Sequence, residues 1–295
     1  AVWVSRWQYP FDLEWMEGGM LAHAYRLSKD LPLYQEPSVE FIPYIYPPGY
    51  PVLLQQLSVL MPLDYTLGRG VSALSITGAA VALMAFVVRY RAQWMGGWFA
   101  GTLGAALFVL SYPDSGAFFD LVRPDSLALG LTAWALFFGV TPRKGEVALG
   151  GLLLVLAFFV KQHSAIFGLP ILLALATRDG WPRARWFALW SVLPALLGVG
   201  WLQFTTEGNF LTYLVTVPAT HGIKWVRILP GVPMELGAAF PITSVLAAVG
   251  LALLLCIRWA RGGGLAFLVV LIAGMGAAAS SWWIGPVRGL KVGIQ

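Results

Sequence analysis

The chain has 295 residues, 58% of them hydrophobic and 11% charged, with a mean hydropathy of +0.73. That is more apolar side chain than a water-soluble globule of this length can cover. The net charge of +5 would suit an anionic partner, but Lys and Arg are scattered through short connections rather than gathered in one stripe, which argues against a nucleic-acid surface.

The apolar runs are long and continuous, unlike the roughly ten-residue alternating segments of a membrane barrel. The expected fold class is therefore all-α, a polytopic membrane helical bundle. Residues 1–4 read as the tail of a helix, and they leave too few apolar residues before Ser5-Arg6 for a cleavable leader. Residues 1–67 are expected to form one outer loop carrying two interfacial helices. The first covers about 15–29; the second lies in 50–61, entered through Tyr46-Pro47-Pro48-Gly49-Tyr50-Pro51, whose prolines fix an extended approach and then permit a helix start.

Residues 68–295 are expected to form the bundle, with spans over 68–88, 94–111, 124–140, 146–160, 163–177, 186–204, 238–257 and 264–281, incomplete at both ends of the chain. Two of these, 146–160 and 163–177, fall short of the ~20 residues that cross a bilayer core. Their junction, Lys161-Gln162-His163, then points to a polar recess. Cys256 lies in an apolar run and, as the single cysteine, forms no intrachain disulfide.

Orientation follows from the short connections. Arg89 and Arg91, Arg143 and Lys144, Arg178, Arg183 and Arg185, and Arg258 and Arg261 occupy every second one, against only Glu146 and Asp179. These loops are expected to be cytoplasmic, which places the other twelve acids, the first loop and the long loop 205–237 on the outer side.

The first-loop acids Asp12, Glu14 and Glu17 stand among Phe11, Trp15 and Met16. Carboxylates beside apolar groups can serve as a general base or hold a divalent cation; equally, they can be solvated acids beside interfacial belt aromatics. Asp125, after Arg123-Pro124, can cap a helix start with Arg123 as its ion-pair partner, or belong to a membrane-edge site with Asp114 and Asp120. Lys161 and Gln162 can be a snorkelling loop pair or capture a lipid phosphate. His23, His163 and His221 have no metal-ligand spacing, and Gly262-Gly263-Gly264 reads as a turn.

In order along the chain stand Glu17-Gly18, Pro32-Leu33-Tyr34, the segment 46–51, Arg69, Arg123-Pro124-Asp125-Ser126-Leu127-Ala128 and Lys161-Gln162. This order over residues 9–180 resembles the GT-C membrane glycosyltransferases, and within them bacterial relatives of the protein O-mannosyltransferases and of the lipid A aminoarabinose transferase. The resemblance implies transfer of a sugar from a polyprenyl-phosphate donor at the periplasmic face of a bacterial inner membrane, with a first-loop acid as base. Asp125 would be a second acid near the site, and Lys161 and Arg123 would contact the donor phosphate. The family commonly has Asp-Glu in the first loop; here Met16 stands at the Asp position beside Glu17, so Asp12 and Glu14 are candidates to replace it. The rival expectation is a non-catalytic membrane subunit with this ancestry, packed in a larger complex. A transporter would show polar residues or Gly/Pro breaks near mid-span in paired halves, and little of that is present.

Overall fold

A computed structural model describes residues 2–91, 95–220, 231–239 and five further positions up to 249. Among these residues every regular element is helical: α1 (Val2–Trp7), α2 (Glu17–Ser28), α3 (Gly49–Leu57), α4 (Tyr65–Arg91), α5 (Met95–Leu110), α6 (Pro124–Gly139), α7 (Lys144–Val160), a 3-10 segment (Gln162–Phe167), α8 (Gly168–Asp179) and α9 (Trp181–Thr205). Short helical turns follow over 209–219, and a further helix covers Val232–Ala239. The expected spans 238–257 and 264–281, the tail 282–295, and Cys256, Arg258, Arg261, the 262–264 turn and His221 lie outside the described residues, apart from scattered positions before 250.

The helix starts follow local chemistry. Asp64 accepts the Leu67 N–H at 3.0 Å through its side chain and opens α4. α6 begins with Pro124 at its first turn after an extended Arg123, and Asp125 sits where the helix dipole favours an acid. Gly180, at φ 85°, makes the tight joint between α8 and α9 in a conformation that few other residues adopt. The expected continuous helix over 163–177 is instead a 3-10 segment followed by α8. Pro170 has no N–H to bond the carbonyl four residues back, so regular α pairing takes hold only around it.

Among the described residues two helices are long and apolar enough to cross a membrane, Tyr65–Arg89 and Trp181–Thr205, and 96–110 is a shorter apolar helix. α4 packs on α5 and α6, α6 on α7, and α7 on α9. The crossings are close where glycine meets backbone: a Cβ at Gly130 would lie 2.7 Å from the Ser75 carbonyl oxygen, and one at Gly150 would lie 2.4 Å from the Gly139 nitrogen. Small residues at crossings are how helices approach without a water-driven core. One apolar cluster, including Met20, Tyr50, Leu54, Leu67 and Val122, joins α2 and α3 to the first turns of α4 and α6; a second, including Ala135, Val147, Ile171 and Phe187, fills the space between α6, α7, α8 and α9. The outer faces of α5 and α9, with Trp98, Phe99 and Leu103, and Leu193, Leu196, Leu197 and Trp201, are apolar and exposed.

Candidate functional site

The first turns of α4 and α6 and the last turn of α7 meet at one end of the helices, beneath α2 and α3. α2 is entered through a turn held by its own acids. Glu14 accepts the Met16 N–H at 3.1 Å, Asp12 accepts the Gly18 N–H at 2.7 Å, and Glu17 reaches back to the Leu13 N–H at 2.6 Å. Asp12 and Glu14 thereby satisfy helix-start donors that lack an intrahelical partner.

Glu17 is fully buried. Its carboxylate faces Arg69 in a bidentate pair, Nε to Oε1 at 3.0 Å and Nη2 to Oε2 at 2.9 Å, and also accepts the Val122 N–H at 2.9 Å. Arg69 spends its remaining donors on the carbonyls of Arg6, Tyr9 and Phe11. Burial alone would raise the Glu17 carboxyl, but the Arg69 guanidinium and the two N–H donors outweigh it and hold the group below the usual carboxylate range. An occupied, buried, low-pKa carboxylate is a poor proton acceptor. Of the two acids expected as base, Glu17 and Asp12, Glu17 has its carboxylate fully engaged and acts as a clamp that ties the first loop to α4 and to the approach to α6.

A second chain of charges lies alongside. Glu14 pairs with Arg123 at 3.0 Å, Arg123 with Asp125 at 3.1 Å, and Asp125 with Lys161 at 2.5 Å. Arg123 and Lys161 are 3% and 5% exposed, so these are buried contacts in which both cations are already neutralised. Glu14, Arg123, Asp125 and Lys161 are brought together, across 36 positions for the last pair, but around one another and not around a cavity of ligand size. Gln162 donates to the Ile45 carbonyl at 2.8 Å, while its Oε1 is buried with no hydrogen-bond partner.

The segment 44–46 covers this chain. Lys161 lies 5.8 Å from the centre of the Tyr46 ring, and Tyr34 donates to the Tyr46 carbonyl at 2.6 Å. Tyr44 stacks on His23 at 4.7 Å. The His23 tautomer is fixed by its partners: Nδ1 must donate to the Gly19 carbonyl at 2.7 Å and Nε2 must accept the Tyr44 N–H at 3.1 Å. Burial pushes His23 below the usual histidine range, keeping it neutral. Under the cover, a void of ≈10 Å³ among His23, Tyr34, Tyr44, Tyr46 and Tyr50 has room for about one water.

Asp12 differs from the other three acids. It is exposed, and both of its hydrogen bonds, from Gly18 and from the Tyr65 hydroxyl at 3.1 Å, fall on Oδ1. The three clustered acids thus diverge, Asp12 to Tyr65, Glu14 to Arg123 and Glu17 to Arg69. Among the described residues no group of three or more His, Cys, Asp or Glu is placed to hold a metal ion, so the divalent-cation option for this loop lacks a converging donor set.

Sequence reasoning left Arg69 without a partner, although an arginine inside an apolar helix demands a buried carboxylate. It also left Asp120 in the background. Asp120 is 1% exposed, accepts the Tyr112 hydroxyl at 2.9 Å and lies 3.5 Å from Arg6; burial raises its carboxyl. No family model, curated protein or solved structure matches the chain.

Proposed function

We propose that the chain is a membrane glycosyltransferase of the GT-C type, moving a sugar from a polyprenyl-phosphate donor to an acceptor hydroxyl at the outer face of a bacterial inner membrane. The observation that supports this reading is the chain Glu14, Arg123, Asp125, Lys161, gathered from three separated sequence motifs at one end of the helices beside an exposed acid. The membrane placement has its own support. Arg69 and Arg89 both lie on α4, twenty residues apart, which at ~1.5 Å per residue is about 30 Å, the thickness of a hydrocarbon core. The acids cluster at the Arg69 end; Arg89, Arg143, Lys144 and Arg183 lie at the other, which by the positive-inside rule is cytoplasmic.

In the proposed reaction Asp12 takes the proton of the acceptor hydroxyl through Oδ2. The acceptor oxygen forms a bond to the anomeric carbon while the bond from that carbon to the phosphate oxygen breaks, and polyprenyl phosphate departs with the electron pair. Lys161 and Arg123 offset the charge developing on the phosphate, in exchange for their contacts with Asp125. The unpaired Gln162 Oε1 offers an acceptor for a sugar hydroxyl. Segment 44–46 must lift for the donor to reach these groups.

One observation favours the non-catalytic subunit: each cation of the chain is paired and the covered void admits little more than a water. Reconstitution of the full-length protein in proteoliposomes with a panel of labelled polyprenyl-phosphate sugars separates the two. Donor-dependent labelling of an acceptor supports the enzyme, and its absence across the panel, with the protein folded, favours the subunit.

A further inference from the structure

A second polar cluster lies at the opposite end of α4, and the proposed transfer makes no use of it. Between α4, α5, α6 and the start of α7 runs a groove of ≈450 Å³, within the ~300–1,000 Å³ range of small-molecule sites. Its walls are apolar: Met84 and Val88 from α4, Trp98 from α5, and Phe137 and Phe138 from α6. At its mouth stand Arg89, Arg143 and Glu146. Glu146 accepts from Arg89 at 2.6 Å and from Arg143 at 3.0 Å, so two guanidiniums share one carboxylate and the mouth keeps an excess positive charge. Arg89 is steadied 5.0 Å from the centre of the Phe137 ring. Arg143 is 77% exposed, so the rest of its guanidinium is open to a ligand beside its contact with Glu146. Lys144 begins α7 beside them, and the N–H groups of that first turn favour an anion.

We propose that this groove holds an anionic phospholipid of the cytoplasmic leaflet, its phosphate on Arg89 and Arg143 and an acyl chain along Met84, Val88, Trp98 and Phe138. The inference rests on the membrane placement proposed above and is independent of the transfer chemistry. Charge selects the occupant. A zwitterionic headgroup would bring its own cation against Arg143 and Lys144, whereas an anionic one completes the unbalanced mouth, and only a lipid supplies both the phosphate and a chain for the apolar walls.

The test uses the full-length protein in vesicles of phosphatidylcholine carrying either brominated phosphatidylglycerol or brominated phosphatidylcholine at equal mole fraction. Bromine quenches tryptophan on contact, and the Trp98 contribution is the difference between the wild type and Trp98→Phe. We expect brominated phosphatidylglycerol to quench that contribution several-fold more effectively. Arg143→Gln should reduce the preference about fivefold, the worth of one basic side chain at an anionic surface, and Arg89→Gln with Arg143→Gln should remove it. Arg143 is exposed, so its single variant stays informative if the double one fails to fold. Equal quenching by the two lipids would overturn the proposal, as would absence of any Trp98 quenching, which would mean that protein covers the groove. Loss of the preference on adding inorganic phosphate would also overturn it, since that would mark a site for the free ion.

Discussion

Arg69 and Glu17, 52 positions apart in sequence, meet in a two-point ion pair with side chains 1% and 0% exposed. All five guanidinium N–H groups are used, two on Glu17 and three on carbonyls of the segment 6–11. The pair joins the first loop to the helices, and through the Val122 N–H it also fixes the approach to Arg123 and Asp125.

Removing one partner should unfold this junction. Glu17→Gln leaves Arg69 as an uncompensated buried charge, a loss of about 3–5 kcal/mol for pairs of this kind. The double variant Glu17→Gln, Arg69→Met should cost less than the sum of the two single changes. Thermal unfolding in detergent measures all three, and strictly additive losses would show that the two side chains do not depend on each other.

His23 makes the cover of the site sensitive to acid. Its folded pKa is depressed by burial, so the neutral ring contributes stability that is present above the ordinary histidine value of 6.5 and is lost as pH falls from there through the folded value. Protonation puts a hydrogen on Nε2, which must then release the Tyr44 N–H. Hydrogen exchange at the Tyr44 amide, corrected for the intrinsic rate, should quicken between pH 7 and pH 5 in the wild type and lose that dependence in His23→Gln. An unchanged protection factor over this range would remove His23 from the account.

The six helical segments from α4 to α9 were legible because long apolar runs and proline or glycine stops are local signals, and the boundaries agree closely for α4, α5, α6 and α7. The break before α8 was not, since the 3-10 turn follows from the joint effect of an extended Lys161 and Pro170 rather than from hydropathy. The site was half legible. Asp125, Lys161 and Arg123 stood out as charges at the ends of apolar runs. What pattern reading could not supply was the pairing: Glu17 looks like the family's base in sequence, and only the proximity of Arg69 makes it a clamp. Asp12 and Glu14 both looked like its substitute, and of the three acids at the start of the loop Asp12 is the one left exposed.

The membrane placement makes a direct prediction about sidedness. Cysteines introduced at Asp114 and at Lys144, both exposed, in a Cys256→Ala background should react oppositely with an impermeant maleimide added from outside. Labelling at 114 and protection at 144 is the expected pattern. The reverse pattern would put the Arg123 and Lys161 cluster on the cytoplasmic side, where an outer-face donor could not reach it.

The charge chain should govern donor use rather than folding of the first loop. Lys161→Gln removes the ammonium from Asp125 while keeping a hydrogen-bonding end. The expected result is a rate loss that grows as donor concentration falls, seen as a raised KM for the polyprenyl phosphate sugar. A loss confined to the acceptor KM would assign Lys161 to the other substrate.

The most direct measurement is sugar transfer per folded molecule in proteoliposomes, comparing the wild type with Asp12→Asn. Asparagine keeps an oxygen for the Gly18 N–H and the Tyr65 hydroxyl, so α2 should stay folded while the proton acceptor is lost. The account predicts transfer from a polyprenyl-phosphate donor by the wild type and a fall of about 10²–10⁴-fold in Asp12→Asn, the usual cost of losing a general base. Wild-type rates in Asp12→Asn would contradict the assignment of the base, and no transfer by the folded wild type from any donor would contradict the enzyme itself.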